Sequence, residues 1–139
     1  MQRLQNRPQF QAVLAGAIVA KTTHFALHRN ALDAKPVQAE AGELVDTSRA
    51  RPLFPIQDVW LGAMVPKRWA KRAVTRNAIK RQIYTVSADF SHQYPEAAFV
   101  VRLRRDFSRK EFISATSEQL KQAVRAEVTA LMQAGARAS

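Results

Sequence analysis

Cysteine is absent from the 139 residues of the chain, so neither a disulfide framework nor a thiolate metal site can form. Long apolar runs are also missing, because the longest one, Ala12 to Ala20, is only about half the length that a bilayer-spanning helix needs. The sequence contains no HExxH pattern, no Ser, His and Asp grouping and no Gly-rich phosphate loop. These absences predict a protein that does not span a membrane and does not hydrolyse a bond unaided.

The N-terminal region leaves two interpretations open. Arg3 and Arg7 precede the apolar run as in a short signal peptide, but Pro8 and neighbouring glutamines separate them from it. A helix that turns into a loop at Gly16 explains the same residues, and we favour this interpretation. A chain without cysteine also fits a reducing compartment, so we expect a cytoplasmic location.

Acidic residues are scarce relative to basic ones. The chain has 22 Lys and Arg against 11 Asp and Glu, a net charge of +11 and a pI near 11.1. Such a charge favours a polyanionic partner, with nucleic acid the first candidate and an anionic membrane surface the second. The 47% apolar content is enough for one hydrophobic core, so we expect a single domain over residues 1–139.

Hydrophobic periodicity predicts an alternation of helices and strands in this single domain. The pattern fades at about residues 30–55, where three prolines interrupt it, and we interpret this segment as a long loop insertion. A hairpin partner for the strand after it is an open possibility at residues 51–57. The predicted elements are helices at Pro8–Leu14, Arg72–Phe90 and Ser108–Met132 and strands at Thr22–Arg29, Val59–Val65 and Ala97–Arg104.

The strongest functional signal is a stretch without acid. No Asp or Glu occurs between Asp58 and Asp89, while seven Lys and Arg fall within residues 67–81. The helix in this stretch has an apolar stripe at Ile79, Ile83 and Val86. We expect the flank away from this stripe to carry the charge, with Arg76 aligned with Lys80 and Asn77 aligned with Arg81. A solvated helix face is often charged, but it normally mixes both signs, and this one favours phosphate binding. A second basic group follows, at Arg102, Arg104, Arg105, Arg109 and Lys110.

A metal site is poorly supported by the sequence. His24 and His28 would point the same way on a strand, but two histidines without a third ligand make a poor site. Edge-strand or cleft side chains are the simpler interpretation.

Residues Pro66 to Arg81, PKRWAKRAVTRNAIKR, resemble the signature of the bacterial ribonuclease P protein family. That signature is a Lys/Arg pair, a short basic connector, and Arg-Asn-Arg-x-x-Lys-Arg opening the main helix. Ala78 stands where the family usually has its second arginine, so the triplet is broken here. The similarity extends to the first helix and to the strands on both sides of the signature, and leaves out only residues 31–51.

The resemblance implies an α/β (α+β) two-layer sandwich with a mixed sheet of about four strands, three helices and a left-handed βαβ crossover. It also implies the function of an accessory protein subunit in a ribonucleoprotein endoribonuclease. In that family the RNA subunit is the catalyst. It cuts precursor tRNA to leave the mature 5′ end, and it holds most of the Mg²⁺. The expected assembly is a monomeric protein bound to one catalytic RNA, together with precursor tRNA.

Site residues follow from the resemblance by position, and none of them is catalytic. Asn77 could also hold a metal ion through water. Leu14 and His28 replace aromatic residues that are common in the family's central cleft, which holds the single-stranded 5′ leader. The residues expected to meet the catalytic RNA are Lys67, Arg68, Lys71, Arg72, Arg76, Asn77, Lys80 and Arg81, and those expected near the leader are Phe10, Leu14, Phe25 and His28. For Phe10 and Phe25, packing in the hydrophobic core is an equally open interpretation.

Two other functions share the charge of this chain. A ribosomal or RNA-chaperone-like binding module would bind RNA without this substrate. A purely structural interaction domain is the third possibility. Reconstituted cleavage of precursor tRNA distinguishes them.

Overall fold

The computed structural model describes residues 1–33, 53–107 and 118–138. They form five strands, three α-helices and one short 3₁₀ helix. In chain order the elements are β1 (Gln2–Arg3), α1 (Arg7–Leu14), β2 (Ala17–Lys21), β3 (Phe25–Asn30), β4 (Trp60–Met64), α2 (Ala73–Phe90), the 3₁₀ helix (Ser91–Gln93), β5 (Ala98–Leu103) and α3 (Glu118–Ala138).

The strands form one mixed sheet in the order β1-β4-β5-β3-β2. β4 pairs in parallel with both β1 and β5, whereas β3 pairs antiparallel with β5 and with β2. Helix α2 connects the parallel neighbours β4 and β5, so the predicted strand, helix, strand unit is present. The mixed sheet and the three helices confirm the predicted fold class, with five strands where about four were expected.

Alternation along the strands divides the sheet into two apolar faces. Phe25 and Leu27 of β3 lie in the larger core with Phe99 and Val101 of β5. Helices α2 and α3 cover this face. Ile79, Ile83 and Val86, the predicted stripe of α2, are all buried there, together with Leu120, Val124, Val128 and Leu131 of α3.

The opposite face carries a smaller core under α1. Val13 packs there with Trp60 of β4 and Val100 of β5. Asn6 begins α1 with a capping box, since its side chain accepts from the Gln9 backbone and the Gln9 side chain accepts from the Asn6 backbone. Because helices lie on both faces, α1 adds a partial third layer to the two-layer arrangement that the resemblance implied.

Two strands were not predicted. β1 has two residues, too few for any periodic pattern, yet it covers the edge of β4. β2 occupies the end of the apolar run that we interpreted as a loop after Gly16. Its side chains do not alternate cleanly between buried and exposed, and its pairing shifts register between Ile18 and Ala20.

Other predictions fall partly on residues that are not described. The loop insertion at about 30–55 lies mostly in residues 34–52, and the first half of the predicted last helix lies in residues 108–117, so both stay predictions. Residues 53–57 form bends and contain no strand, so the described part of 51–57 does not supply the hairpin partner.

Candidate nucleic-acid interface

A tight turn joins β4 to α2 and holds the basic connector, residues 66–72. The backbone N–H groups of Trp69 and Ala70 both donate to the Pro66 carbonyl, each at 3.1 Å. Val65 and Ala70 are buried in the larger core, and Trp69 packs against it. The turn is therefore anchored by its apolar residues, while the basic residues between them are exposed: Lys67, Arg68, Lys71 and Arg72.

The start of α2 concentrates positive charge. Arg72 is the N-cap residue, with extended φ and ψ of −84° and 134°, and no side chain caps the helix. The first turn contains no acidic residue. Cations near a helix N-terminus are unfavourable by about 0.3–1 kcal/mol each. An anion placed here would gain from both the side chains and the helix dipole.

The α2 residues of the signature do not all share one flank. Asn77 and Arg81 are exposed, whereas Arg76 and Lys80 are partly buried. Since a helix turns about 100° per residue, Arg76 lies on the same side as Ile83, seven residues later. The prediction that Arg76 lies on the flank away from the core is therefore wrong, because its position in the heptad faces inward.

The inward position gives Arg76 a different set of contacts. Its Nη1 donates to the carbonyl oxygens of Ala70 at 3.1 Å and Lys71 at 2.8 Å. The guanidinium thus bonds to the end of the connector that precedes its own helix.

The signature cations are not neutralised by neighbouring carboxylates in the described part of the chain. The ion pairs found among those residues are Met1 with Asp58, His24 with Glu127, and Lys121 with Glu118. Arg68 instead lies over the Trp69 ring, 5.3 Å from the ring centroid. With respect to the described residues, the connector and the exposed flank of α2 therefore present uncompensated positive charge.

The second basic group divides between two locations. Arg104 donates from Nη1 to the Thr22 and Thr23 carbonyls, at 2.9 and 2.7 Å, and so supports the turn between β2 and β3. Arg102 lies on the α1 face of the sheet, and Arg105 is exposed. Arg109 and Lys110 lie outside the described residues.

The predicted leader cleft is assembled only in part. Phe10 and Leu14 of α1 are partly buried against the smaller core, and His28 of β3 lies on that same face of the sheet. Phe25 does not join them. It is 0% exposed in the larger core, because residues 25 and 28 of one strand point to opposite faces. Its assignment to the cleft is therefore corrected.

Gly62 of β4 lies against Phe10 on the cleft face and was not among the predicted site residues. A Cβ at this position of β4 would lie 2.6 Å from Cε1 of Phe10 and 2.7 Å from Cδ1 of Leu4. The absence of a side chain lets the Phe10 ring approach the strand. A glycine inside a strand pattern was the available signal.

His28 and Arg102 form a polar pair in the floor of this face. Nε2 of His28 accepts from Nε of Arg102 at 3.1 Å, and the imidazole is 5% exposed. Burial, and secondarily the nearby Arg102 charge, lowers the pKa of His28 below its usual value of 6.5. Its buried Nδ1 has no hydrogen-bond partner among the described residues. The neutral ring is therefore the acceptor that holds the guanidinium. In the sequence, the alternation of Arg102 with Val101 and Leu103 along the strand already indicated that Arg102 lies on the face opposite those two residues.

His24 serves a different purpose from His28. Its Nδ1 lies 2.7 Å from Oε1 of Glu127, and its ring stacks on Phe107 with centroids 4.0 Å apart. Oε2 of Glu127 accepts from Thr22 Oγ1 and from the His24 backbone, each at 2.6 Å.

Within residues 1–33, 53–107 and 118–138, no group of three or more His, Asp or Glu could hold a metal ion. In the same ranges, no helix is long and apolar enough to cross a bilayer.

The family model described as Ribonuclease P matches residues 1–131. The chain belongs to the bacterial ribonuclease P protein family. Two curated relatives are both named ribonuclease P protein component: that of Trichormus variabilis is 34% identical over 84 residues, and that of Nostoc sp. is 33% identical over 84 residues. Each match covers 58% of this chain and 57% of the relative, so it spans little more than half the length of either protein.

Solved structures support the fold of this ribonuclease P family member. The Staphylococcus aureus RNase P protein superposes with a TM-score of 0.60 over 96% of this chain and 94% of that chain, at 17% identity. A mutant of the S. aureus protein, described as having defective mRNA degradation activity, gives 0.58 over 94% and 85%, also at 17% identity. At this identity the likeness establishes the fold alone.

Proposed function

We propose that this chain is the protein subunit of a bacterial ribonuclease P. In this role it binds the catalytic RNA and the 5′ leader of precursor tRNA, and so assists Mg²⁺-dependent endonucleolytic removal of the leader. The observation that carries the proposal is the exposed, acid-free connector at the N-terminus of α2. It is an enzyme subunit in the accessory sense, because the RNA subunit catalyses the cleavage.

The connector and the exposed flank of α2 form the surface proposed to dock the catalytic RNA. Lys67, Lys71 and Arg72 are exposed next to a helix N-terminus that no acidic side chain caps. A phosphate at this position would interact favourably with the helix dipole, and the Lys and Arg side chains would displace counterions condensed on the RNA. Asn77 and Arg81 extend the same surface along α2.

The α1 face of the sheet is the surface proposed to hold the leader. Phe10 and Leu14 supply apolar contact for unstacked bases, and Arg102 supplies a cation for the backbone. His28 contributes by positioning Arg102 rather than by stacking, since its ring is buried. Contacts of this kind accept any base, which suits a leader of variable sequence.

Magnesium belongs mainly to the RNA in this proposal. When bound to the RNA, Mg²⁺ would supply activation of the attacking water and stabilisation of the leaving oxygen. The described residues offer no carboxylate and imidazole cluster for it, and the exposed amide of Asn77 could reach an ion only through water. The protein acts by neutralising phosphates, which lets RNA and substrate meet at less added Mg²⁺. We propose one protein per catalytic RNA, in the cytoplasm.

A Mg²⁺ titration of precursor tRNA cleavage tests the proposal. A bacterial ribonuclease P RNA transcript should reach half-maximal cleavage at a lower Mg²⁺ concentration when this protein is added, and the protein alone should cut nothing. An unchanged titration would favour a ribosomal or RNA-chaperone-like binding module.

A further inference from the structure

The partly buried Arg76 guanidinium is hydrogen-bonded to the backbone of the connector. Its Nη1 joins the carbonyls of Ala70 and Lys71, and the Arg76 backbone N–H donates to the Arg72 carbonyl at 3.1 Å. One residue therefore bonds to three consecutive carbonyls, those of residues 70, 71 and 72. No other described side chain makes a hydrogen bond to these three groups.

These bonds fix the backbone from which two exposed cations extend. Ala70 is buried and anchors one side of the connector, while Lys71 and Arg72 are exposed. No side chain caps the start of α2. The bond to the Arg72 carbonyl comes from the Arg76 backbone and would form with any non-proline residue at position 76, so the guanidinium itself adds the bonds to the carbonyls of Ala70 and Lys71. Fixing one residue's backbone costs about 1–2 kcal/mol, and this cost falls on RNA binding if the connector is loose in the free protein.

We propose that Arg76 is a positioning residue that acts through Lys71 and Arg72, in addition to any contact of its own with the RNA. It orders the end of the connector before docking, so that both cations meet phosphates without first losing backbone freedom. The inference rests on the proposed docking of a catalytic RNA to this surface. It changes the role of Arg76 from an independent phosphate contact to the support for two others.

A double-mutant cycle distinguishes these roles. Dissociation constants for a bacterial ribonuclease P RNA transcript would be measured for Arg76→Ala in two backgrounds, wild type and Lys71→Ala/Arg72→Ala. A positioning role predicts a clear loss of affinity in the wild-type background and less than a third of that fold-loss in the double variant. Equal fold-losses in the two backgrounds, or no loss in either, would overturn the proposal.

Arg81→Ala is the matched control for the cycle. Arg81 is exposed on α2 and lies more than two helical turns from the connector. The factor by which Arg81→Ala lowers the affinity should therefore be the same in both backgrounds. Amide hydrogen exchange of the free protein gives a second readout. Arg76→Ala should speed exchange near residues 70–72, and Arg81→Ala should not.

Arg76→Lys keeps the test decisive if Arg76→Ala folds poorly. Lysine retains the charge, but its side chain is one bond shorter and lacks the planar fork. A positioning role predicts that Arg76→Lys also loses affinity in the wild-type background only. Wild-type affinity in Arg76→Lys would mean that charge alone matters. Absence of salt-dependent binding by the unmodified protein would instead contradict the proposed function.

Discussion

His28 shows how one side chain links the core to the proposed leader surface. The ring is almost fully buried, yet its Nε2 reaches the Arg102 guanidinium. Protonation would remove the acceptor and place two cations side by side. The neutral ring is therefore the form that suits both the fold and the positioning of Arg102.

The lowered pKa of His28 makes stability depend on pH. Because its folded-state pKa lies below the unfolded value of 6.5, the unfolded chain takes up a proton first as the pH falls. The stabilisation is fully present above the unfolded pKa and is lost as the pH falls through the folded pKa. We expect the free energy of unfolding to fall as the pH is lowered below 6.5, and His28→Gln to reduce this slope.

Urea unfolding at several pH values between 7.5 and 5 checks this expectation. His92→Gln is the control, because His92 is exposed in the 3₁₀ helix. A slope that His28→Gln leaves unchanged would contradict the assignment.

At the residue scale, the sequence predicted which charged side chains are exposed better than it predicted the face of a strand or helix on which a side chain lies. Lys67, Lys71 and Arg72 are exposed as the acid-free run suggested. Phe25 and Arg76 were placed wrongly for different reasons. The resemblance assigned Phe25 to the cleft by position, although strand alternation puts it on the face opposite His28. The flank of Arg76 was judged relative to Val86, although Arg76 is closer in helical phase to the buried Ile83.

At the scale of elements, α3 holds the turn between β2 and β3 through one carboxylate. Glu127 accepts three bonds, from Thr22 Oγ1 and from the backbone and the ring of His24. This is a contact between residues about a hundred positions apart in the chain. No local pattern in the sequence could have predicted it.

Glu127→Ala should destabilise the fold by about 2 kcal/mol, because hydrogen bonds to a charged acceptor are lost and the turn groups are left without their partner. Glu118→Ala on the same helix is the matched control. Its side chain is 79% exposed and, among the described residues, pairs with Lys121 alone, so the change should stay within about 0.5 kcal/mol. Chemical unfolding measures both, and equal effects would contradict the role given to Glu127.

The packing of α1 on β4 predicts an unusual glycine effect. Replacing glycine by alanine inside a strand usually stabilises by about 0.5–1 kcal/mol. Gly62→Ala should instead destabilise by about 1–3 kcal/mol, because the new methyl group overlaps Phe10 and Leu4. Phe10→Leu in the same chain should recover part of the loss in a thermal unfolding measurement. A stabilised Gly62→Ala protein would show that α1 does not pack closely here.

The elements that the sequence predicted well have strong periodic patterns. Helix α2 was expected at residues 72–90 and spans Ala73–Phe90, and β5 was expected at 97–104 and spans Ala98–Leu103. β1 and β2 were missed because they are short or lie at the sheet edge, where pairing with a neighbour decides the structure rather than an apolar pattern. The partner of β1 is β4, which is distant in the chain, and the partner of β2 is β3, which follows β2 after a turn.

At the scale of the whole molecule, the net charge of +11 is a property of the composition, but its placement is a property of the fold. Any basic protein binds RNA to some degree through counterion release. Specific docking at the connector requires more than that. The connector cations must contribute more to RNA binding than equally exposed cations elsewhere on the surface.

Two triple variants test this requirement most directly, because each removes three positive charges. One changes Lys67, Lys71 and Arg72 to Gln, and the other changes the exposed Lys21, Arg125 and Arg137 to Gln. The measurement is the dissociation constant for a bacterial ribonuclease P RNA transcript across a salt series. The connector variant should lose about two to three units of log-log salt slope, near 0.7–0.9 per phosphate contact, while the other variant should lose less than one. Equal losses in the two variants would show that overall charge, and not this surface, binds the RNA.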